Sequence, residues 1–135
     1  MTVYVVTGPP AAGKSTWVRE HAQPGDITID YDTLVQALSP DQPSDPVEQS
    51  PYVVMAAQAA RDAAFNESAD AAMADVYLMH AMPDRHALNR YRKHGCQIIT
   101  IDPGYDECMR RAQDQRTPRQ AAIVDDWYRR RGLVM

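Results

Sequence analysis

Apolar residues along the chain gather in short β-branched or aromatic runs, separated by stretches with helical character. The first run, residues 2–7 (Thr-Val-Tyr-Val-Val-Thr), predicts a buried strand. A helix is expected over 14–21, stopping before Pro24-Gly25, and a second strand over 26–30. A short helix follows over 33–38. Residues 39–50 are polar and proline-rich and read as a mobile loop. An Ala-rich helix is expected over about 50–73, then a third strand over 75–80. Pro83 can open the next helix and Gly95 can close it. A fourth strand covers 96–101. Helices over about 105–113 and from about 120 to Arg131 flank a break at 114–119.

Strands alternating with helices imply a parallel sheet with right-handed crossovers. The strands are apolar almost throughout, as in a sheet covered on both faces. Ligands of such sheets bind beyond the carboxyl ends of the strands. That rule selects the segment after residue 7, Asp30-Tyr31-Asp32, His80 and the turn Asp102-Pro103-Gly104.

Residues 8–15, Gly-Pro-Pro-Ala-Ala-Gly-Lys-Ser, stand between the first strand and the first helix. They fit the phosphate-binding pattern G-x-x-x-x-G-K-[ST] in the context that pattern needs. Gly8 and Gly13 allow backbone angles that a side chain would hinder. The loop amides and the positive end of the following helix can then meet phosphate oxygens. Pro9 and Pro10 lack amide donors, so contacts are expected from residues 11–16: Ala11, Ala12, Gly13, Lys14, Ser15 and Thr16. Lys14 is placed for the β- and γ-phosphates of a nucleoside triphosphate and Ser15 for Mg²⁺. ATP and Mg²⁺ are the expected ligands.

Asp30 and Asp32 follow the second strand. A carboxylate there can take the proton of an acceptor hydroxyl, or hold a Mg²⁺-bound water. Asp32 can equally cap a helix beginning at Thr33. Asp30 and His80 are candidate substrate contacts; His80 can also be a histidine packed at a strand end. Residues 110–131 hold seven arginines against three aspartates, a net +4 within a chain of net charge −4. Developing charge on a transferred phosphoryl group needs cations. Arg116, then Arg119, then Arg111 are the candidates from this region, with a solvated helix face as the alternative. Trp127 is expected in the core and Arg129–Arg131 on a solvated helix end.

Residues 8–20, with Lys-Ser-Thr-Trp-Val-Arg-Glu at 14–20 and Ile-Asp-Tyr-Asp at 29–32, resemble the kinase domain of bacteriophage polynucleotide 5′-kinases. These belong to a wider group of small P-loop kinases with relatives acting on antibiotics and sugar nucleotides. The resemblance covers residues 1–38 and is topological beyond them. It implies a P-loop NTPase three-layer sandwich with a four- to five-stranded parallel sheet and a small C-terminal helical lid at 114–119. It also implies Asp32 as the general base and Lys14 and Ser15 as the loop's working residues. Two departures fall on the acceptor side: Val35 stands where those kinases carry an arginine, and Met79-His80 where they carry an aspartate, with Asp75 at the other end of that strand.

With 135 residues, 44% hydrophobic and 24% charged, one domain over 1–135 is expected, without a membrane span or signal peptide, in the cytoplasm. Cys96 and Cys108 lack metal-ligand spacing and read as reduced, packed thiols. The function expected is ATP-dependent transfer of the γ-phosphate to a hydroxyl: a nucleic-acid 5′ end, a nucleoside or nucleotide-type alcohol, or another small alcohol. An ATPase or nucleotide-binding accessory protein working through a protein partner is the alternative from another class. A phosphate-binding module that has lost catalysis is the third.

Overall fold

The computed structural model describes residues 2–40, 50–69, 74–115 and 118–131, and only the backbone of residues 115 and 118–120. Ten elements follow in chain order: β1 (Val3–Thr7), α1 (Lys14–His21), β2 (Ile27–Asp30), α2 (Tyr31–Leu38), α3 (Pro51–Ala69), β3 (Val76–Met79), α4 (Arg85–Lys93), β4 (Gln97–Thr100), α5 (Tyr105–Gln115) and α6 (Pro118–Arg130). The four strands form one parallel sheet in the order β2-β3-β1-β4.

Alternation along β1 divides the core. Val5 lies in register with Leu78 and Ile98, and Leu78 with Ile29. Val5, Ile29 and Leu78 bury one sheet face against Leu34 of α2, Phe65 of α3 and Tyr91 of α4. Val6 points the other way, into a cluster with Val18 of α1 and Tyr77. Helices therefore cover both faces, giving three layers. A third cluster joins α5 and α6 through Cys108, Ala112, Val124, Trp127 and Tyr128 and reaches Ala12 of the glycine loop. The C-terminal helix pair thus packs on the loop itself.

Several boundaries differ from the sequence reading, for local reasons. α2 starts at Tyr31 because the carboxylate of Asp30 caps it. Pro83 does not open α4; Asp84 does, accepting the Ala87 amide at 2.8 Å. Gly95 closes α4 as expected, at φ 74° with its amide on Arg92 O. α3 begins at Pro51 and is described to Ala69. α5 extends to Gln115 and α6 resumes at Pro118, so the break is narrower than 114–119. Residues 41–49 of the expected mobile loop, and Arg116 and Thr117 of the expected lid, lie outside the described residues. Cys108 is buried and Cys96 half-buried, and both thiols are free. Among the described residues no helix is long and apolar enough to cross a membrane.

Candidate active site

β1 delivers the chain into the glycine loop at Gly8. A Cβ on Gly8 would stand 2.3 Å from the Ile101 carbonyl oxygen, at a φ of 147°. Only glycine lets the loop lie this close to the end of β4. Gly13 occupies the N-cap of α1 in the left-handed region, φ 103° and ψ 20°, and no side chain caps the helix. No acidic residue lies in its first turn. Ala11 is also left-handed at φ 63°, a conformation that costs a non-glycine residue about 1–2 kcal/mol. Strain of this kind collects at ligand clamps.

Two cations hold the loop's carbonyls. Lys14 Nζ donates to Gly8 O at 2.6 Å and Pro9 O at 2.8 Å. Arg111, reaching in from α5, donates through Nη1 to Ala11 O at 3.2 Å and Ala12 O at 3.4 Å. Glu107 orients Arg111 by accepting its Nε at 2.8 Å. Bonds from Arg110, then Arg111, hold the Glu107 carboxyl down at about 2. Arg111, a candidate substrate or transition-state contact, lines the cavity and also braces the loop. With the carbonyls held, the start of α1 offers backbone donors that no side chain has taken, the arrangement that suits an anion.

The two aspartates after β2 have different positions. Asp30 Oδ1 accepts the Asp32 amide at 3.1 Å, and Oδ2 accepts the Thr33 hydroxyl at 2.9 Å. Asp30 is thus the helix cap, and capping by Asp32 is overturned. Asp32 stands exposed in the first turn of α2. Asp30 and Asp32 line the same cavity as Lys14, Ser15 and Thr16. Ser15 is exposed and lies near Met79, with Oγ 3.8 Å from the sulfur. Val35, by contrast, is buried in the core with 2 % exposure.

His80 directly follows β3, and its Nδ1 is 2.7 Å from the Tyr91 hydroxyl. Burial, reinforced by the field of Arg61, pushes His80 down to about 4, so it is neutral at pH 7. His80 packs at the strand end and also lines the cavity. Arg61 was not selected from the sequence. It comes from the middle of α3, and its guanidinium lies 5.7 Å from the centroid of the Tyr31 ring. The available signal was that Arg61 is the one cation in a 19-residue, Ala-rich helix.

These groups surround a cavity of about 820 Å³. All four strands contribute residues at or just beyond their carboxyl ends: the glycine loop, Asp30 to Asp32, Met79 to Met82, and Ile101. Trp127 is core, as expected, and its indole N–H donates to Ala81 O at 2.8 Å, fixing the segment after β3. Arg129 and Arg130 pair with Asp125 and Asp126 one turn earlier, and Arg131 lies 4.6 Å over Trp127, at an exposed helix end. Arg116 and the side chain of Arg119 lie outside the described residues.

A family model described as an AAA domain matches residues 3–130. No curated protein matches the chain. Among solved structures, the tunicamycin resistance protein of Deinococcus radiodurans aligns at a TM-score of 0.53 and 19% identity, over 95% of this chain and 78% of that one. At this identity the likeness is one of fold, a P-loop NTPase α/β sandwich with a parallel sheet.

Proposed function

The chain belongs to the AAA domain family, and from that premise we propose that it is an ATP-dependent phosphotransferase with Asp32 as its general base. The acceptor is an alcohol: a polynucleotide 5′-hydroxyl or a nucleoside- or nucleotide-type hydroxyl. One observation carries this reading. A carboxylate on the first turn of α2 lines the same cavity as the uncapped, glycine-started helix of the phosphate loop. A carboxylate lining the cavity beside the loop can take the proton of an incoming hydroxyl.

The triphosphate sits on the amides of residues 11–16. Lys14 releases its two loop carbonyls and takes up β- and γ-phosphate oxygens, which offer its ammonium stronger, charged acceptors. The acceptor oxygen attacks the γ-phosphorus as its proton passes to Asp32. The new O–P bond forms, the bond to the β,γ-bridging oxygen breaks, and ADP leaves. The Asp30 cap holds the first turn of α2, and so the Asp32 backbone, in place. Arg116 and Arg119 remain the cations proposed to close over the γ-phosphate.

P-loop domains of this type use Mg²⁺ to offset phosphate charge. Among the described residues no three His, Cys, Asp or Glu side chains converge as a metal site. A Mg²⁺ held mainly by phosphates and water needs only a hydroxyl and a nearby carboxylate. Ser15 and Asp30 or Asp32 meet that need.

The test is transfer from [γ-³²P]ATP to oligonucleotides, nucleosides, nucleotides and small alcohols. Labelled acceptor is expected with the native chain and is lost in Lys14→Ala. In Asp32→Asn transfer falls while ATP still binds. Phosphate release with no labelled acceptor would overturn the reading in favour of an ATPase, and loss of ATP binding in Asp32→Asn would overturn the assignment of the base.

A further inference from the structure

Arg61 carries an inference that deepens this reading and rests on it. Its side chain is only 16 % exposed, and a guanidinium so far withdrawn from water ordinarily has a dedicated carboxylate. Arg61 has half of one. Its Nε donates to Asp62 Oδ1 at 3.4 Å, and the same oxygen accepts Arg90 Nη2 at 3.2 Å. Consecutive helix positions do not face each other, which fits the long contact made through Nε alone. Two guanidiniums share the Asp62 carboxylate, so this trio carries one positive charge in excess.

Asp84 acts on His80 and Asp32 on Tyr31 through their fields, but among the described residues Asp62 is the one carboxylate within ion-pair distance of Arg61. His80 is neutral and is engaged with Tyr91. Tyr31 presents its ring to Arg61. Among the described residues, the one buried side-chain nitrogen or oxygen without a hydrogen bond is Arg90 Nε. The Nη donors of Arg61, which make no hydrogen bond to the described residues, are therefore open to the cavity that Arg61 lines. α2 and α3 pack together, so this arginine is held on the same side as Asp32, while Lys14 and Arg111 hold the phosphate loop.

We propose that Arg61 binds a phosphate group carried by the acceptor, so that the enzyme phosphorylates a hydroxyl on an already phosphorylated molecule. A planar guanidinium with its Nη edge open matches phosphate oxygens in pairs, which an ammonium cannot do. Arg61 contacts the substrate away from the reacting atoms, so it governs acceptor affinity rather than the chemical step.

Matched alcohols test this: thymidine against thymidine 3′-monophosphate, adenosine against adenosine 3′-monophosphate, ribose against ribose 5-phosphate. Each is offered to the full chain with [γ-³²P]ATP and Mg²⁺. Each is also titrated onto the chain saturated with a non-hydrolysable ATP analogue. The phosphorylated member of at least one pair is expected to be preferred. Arg61→Ala should raise its KM and its dissociation constant about 10- to 100-fold, the scale of a lost charge-assisted bond. The neutral members and ATP itself should be unaffected, and Arg61→Lys should recover part of the loss. A fall in kcat with KM unchanged would overturn the proposal by putting Arg61 at the transferring phosphoryl group. Equal use of both members, or no binding of any phosphorylated member, would overturn it too. Arg61-dependent binding without transfer would leave the phosphate site standing and sink the kinase reading; transfer that ignores Arg61→Ala would do the reverse.

Discussion

Replacing each of two neighbouring aspartates by asparagine separates a structural carboxylate from a chemical one. Asp30 accepts the Asp32 amide and the Thr33 hydroxyl. Asp30→Asn keeps an acceptor for the amide and leaves an equally good N-cap. In stability it loses the favourable charge at the helix terminus, about 0.3–1 kcal/mol. Asp30→Ala removes the cap and costs about 1 kcal/mol, within a range of 0.5–2. For a domain of this size that lowers Tm by about 3–6 °C. Asp32 is exposed, so Asp32→Asn should move Tm little, but it removes the base and lowers kcat by about 10²–10⁴-fold. Melting curves and initial rates of label transfer at saturating ATP read both effects. The order of activity expected is native, then Asp30→Asn close behind, then Asp30→Ala reduced because the first turn of α2 frays, with Asp32→Asn lowest. If Asp30→Asn were as inactive as Asp32→Asn, Asp30 would be a chemical group and the division of labour would be wrong. An active Asp32→Asn would remove the proposed base altogether.

Two further outcomes follow from the same geometry. Gly8→Ala should abolish nucleotide binding and lower Tm more than Gly13→Ala. Its Cβ would meet a backbone carbonyl at 2.3 Å, whereas at Gly13 the nearest atom is Arg111 Nη1 at 3.9 Å and the strain is that of φ 103°; melting and ATP titration of the two variants check the order. His80 has a folded pKa of about 4, below the ordinary 6.5. Its contribution to stability is thus complete above about pH 6.5 and is lost as pH falls toward 4, because the unfolded chain binds the proton more readily. Urea denaturation of the native chain and His80→Gln at pH 7 and pH 5 should show a smaller pH loss in the variant.

What could be read in the sequence was set by how local its cause is. The glycine loop and α1 were legible because a strand, a constrained turn and a helix follow within 21 residues and obey near-neighbour rules. Residues 14–21 match the helix end to end. The strand order β2-β3-β1-β4 is consistent with the alternation, yet alternation alone does not dictate it. At α2 the reading placed the cap two residues late, since Asp30 and Asp32 are both good caps and the choice depends on where β2 releases the chain. Asp84 was overlooked beside Pro83 for a similar reason. Arg111 was read as a substrate or transition-state contact; its bonds to a loop one hundred residues earlier in the chain, which the sequence could not show, add a bracing role to that reading. Arg61 was missed because α3 shows only a weak apolar stripe, and its place in the cavity arises from the packing of α3 on α2.

Lys14 and Asp32 are proposed to meet a triphosphate from opposite sides, and everything said of the chemistry depends on that. A crystal structure with Mg²⁺ and a non-hydrolysable ATP analogue measures it directly. Lys14 Nζ should leave the Gly8 and Pro9 carbonyls for the β- and γ-phosphate oxygens, the amides of residues 11–16 should cradle the phosphates, and the Asp32 carboxylate should face the γ-phosphorus across space for a hydroxyl. A nucleotide bound elsewhere, a lysine still on its loop carbonyls, or an Asp32 turned away from the terminal phosphoryl group would contradict it.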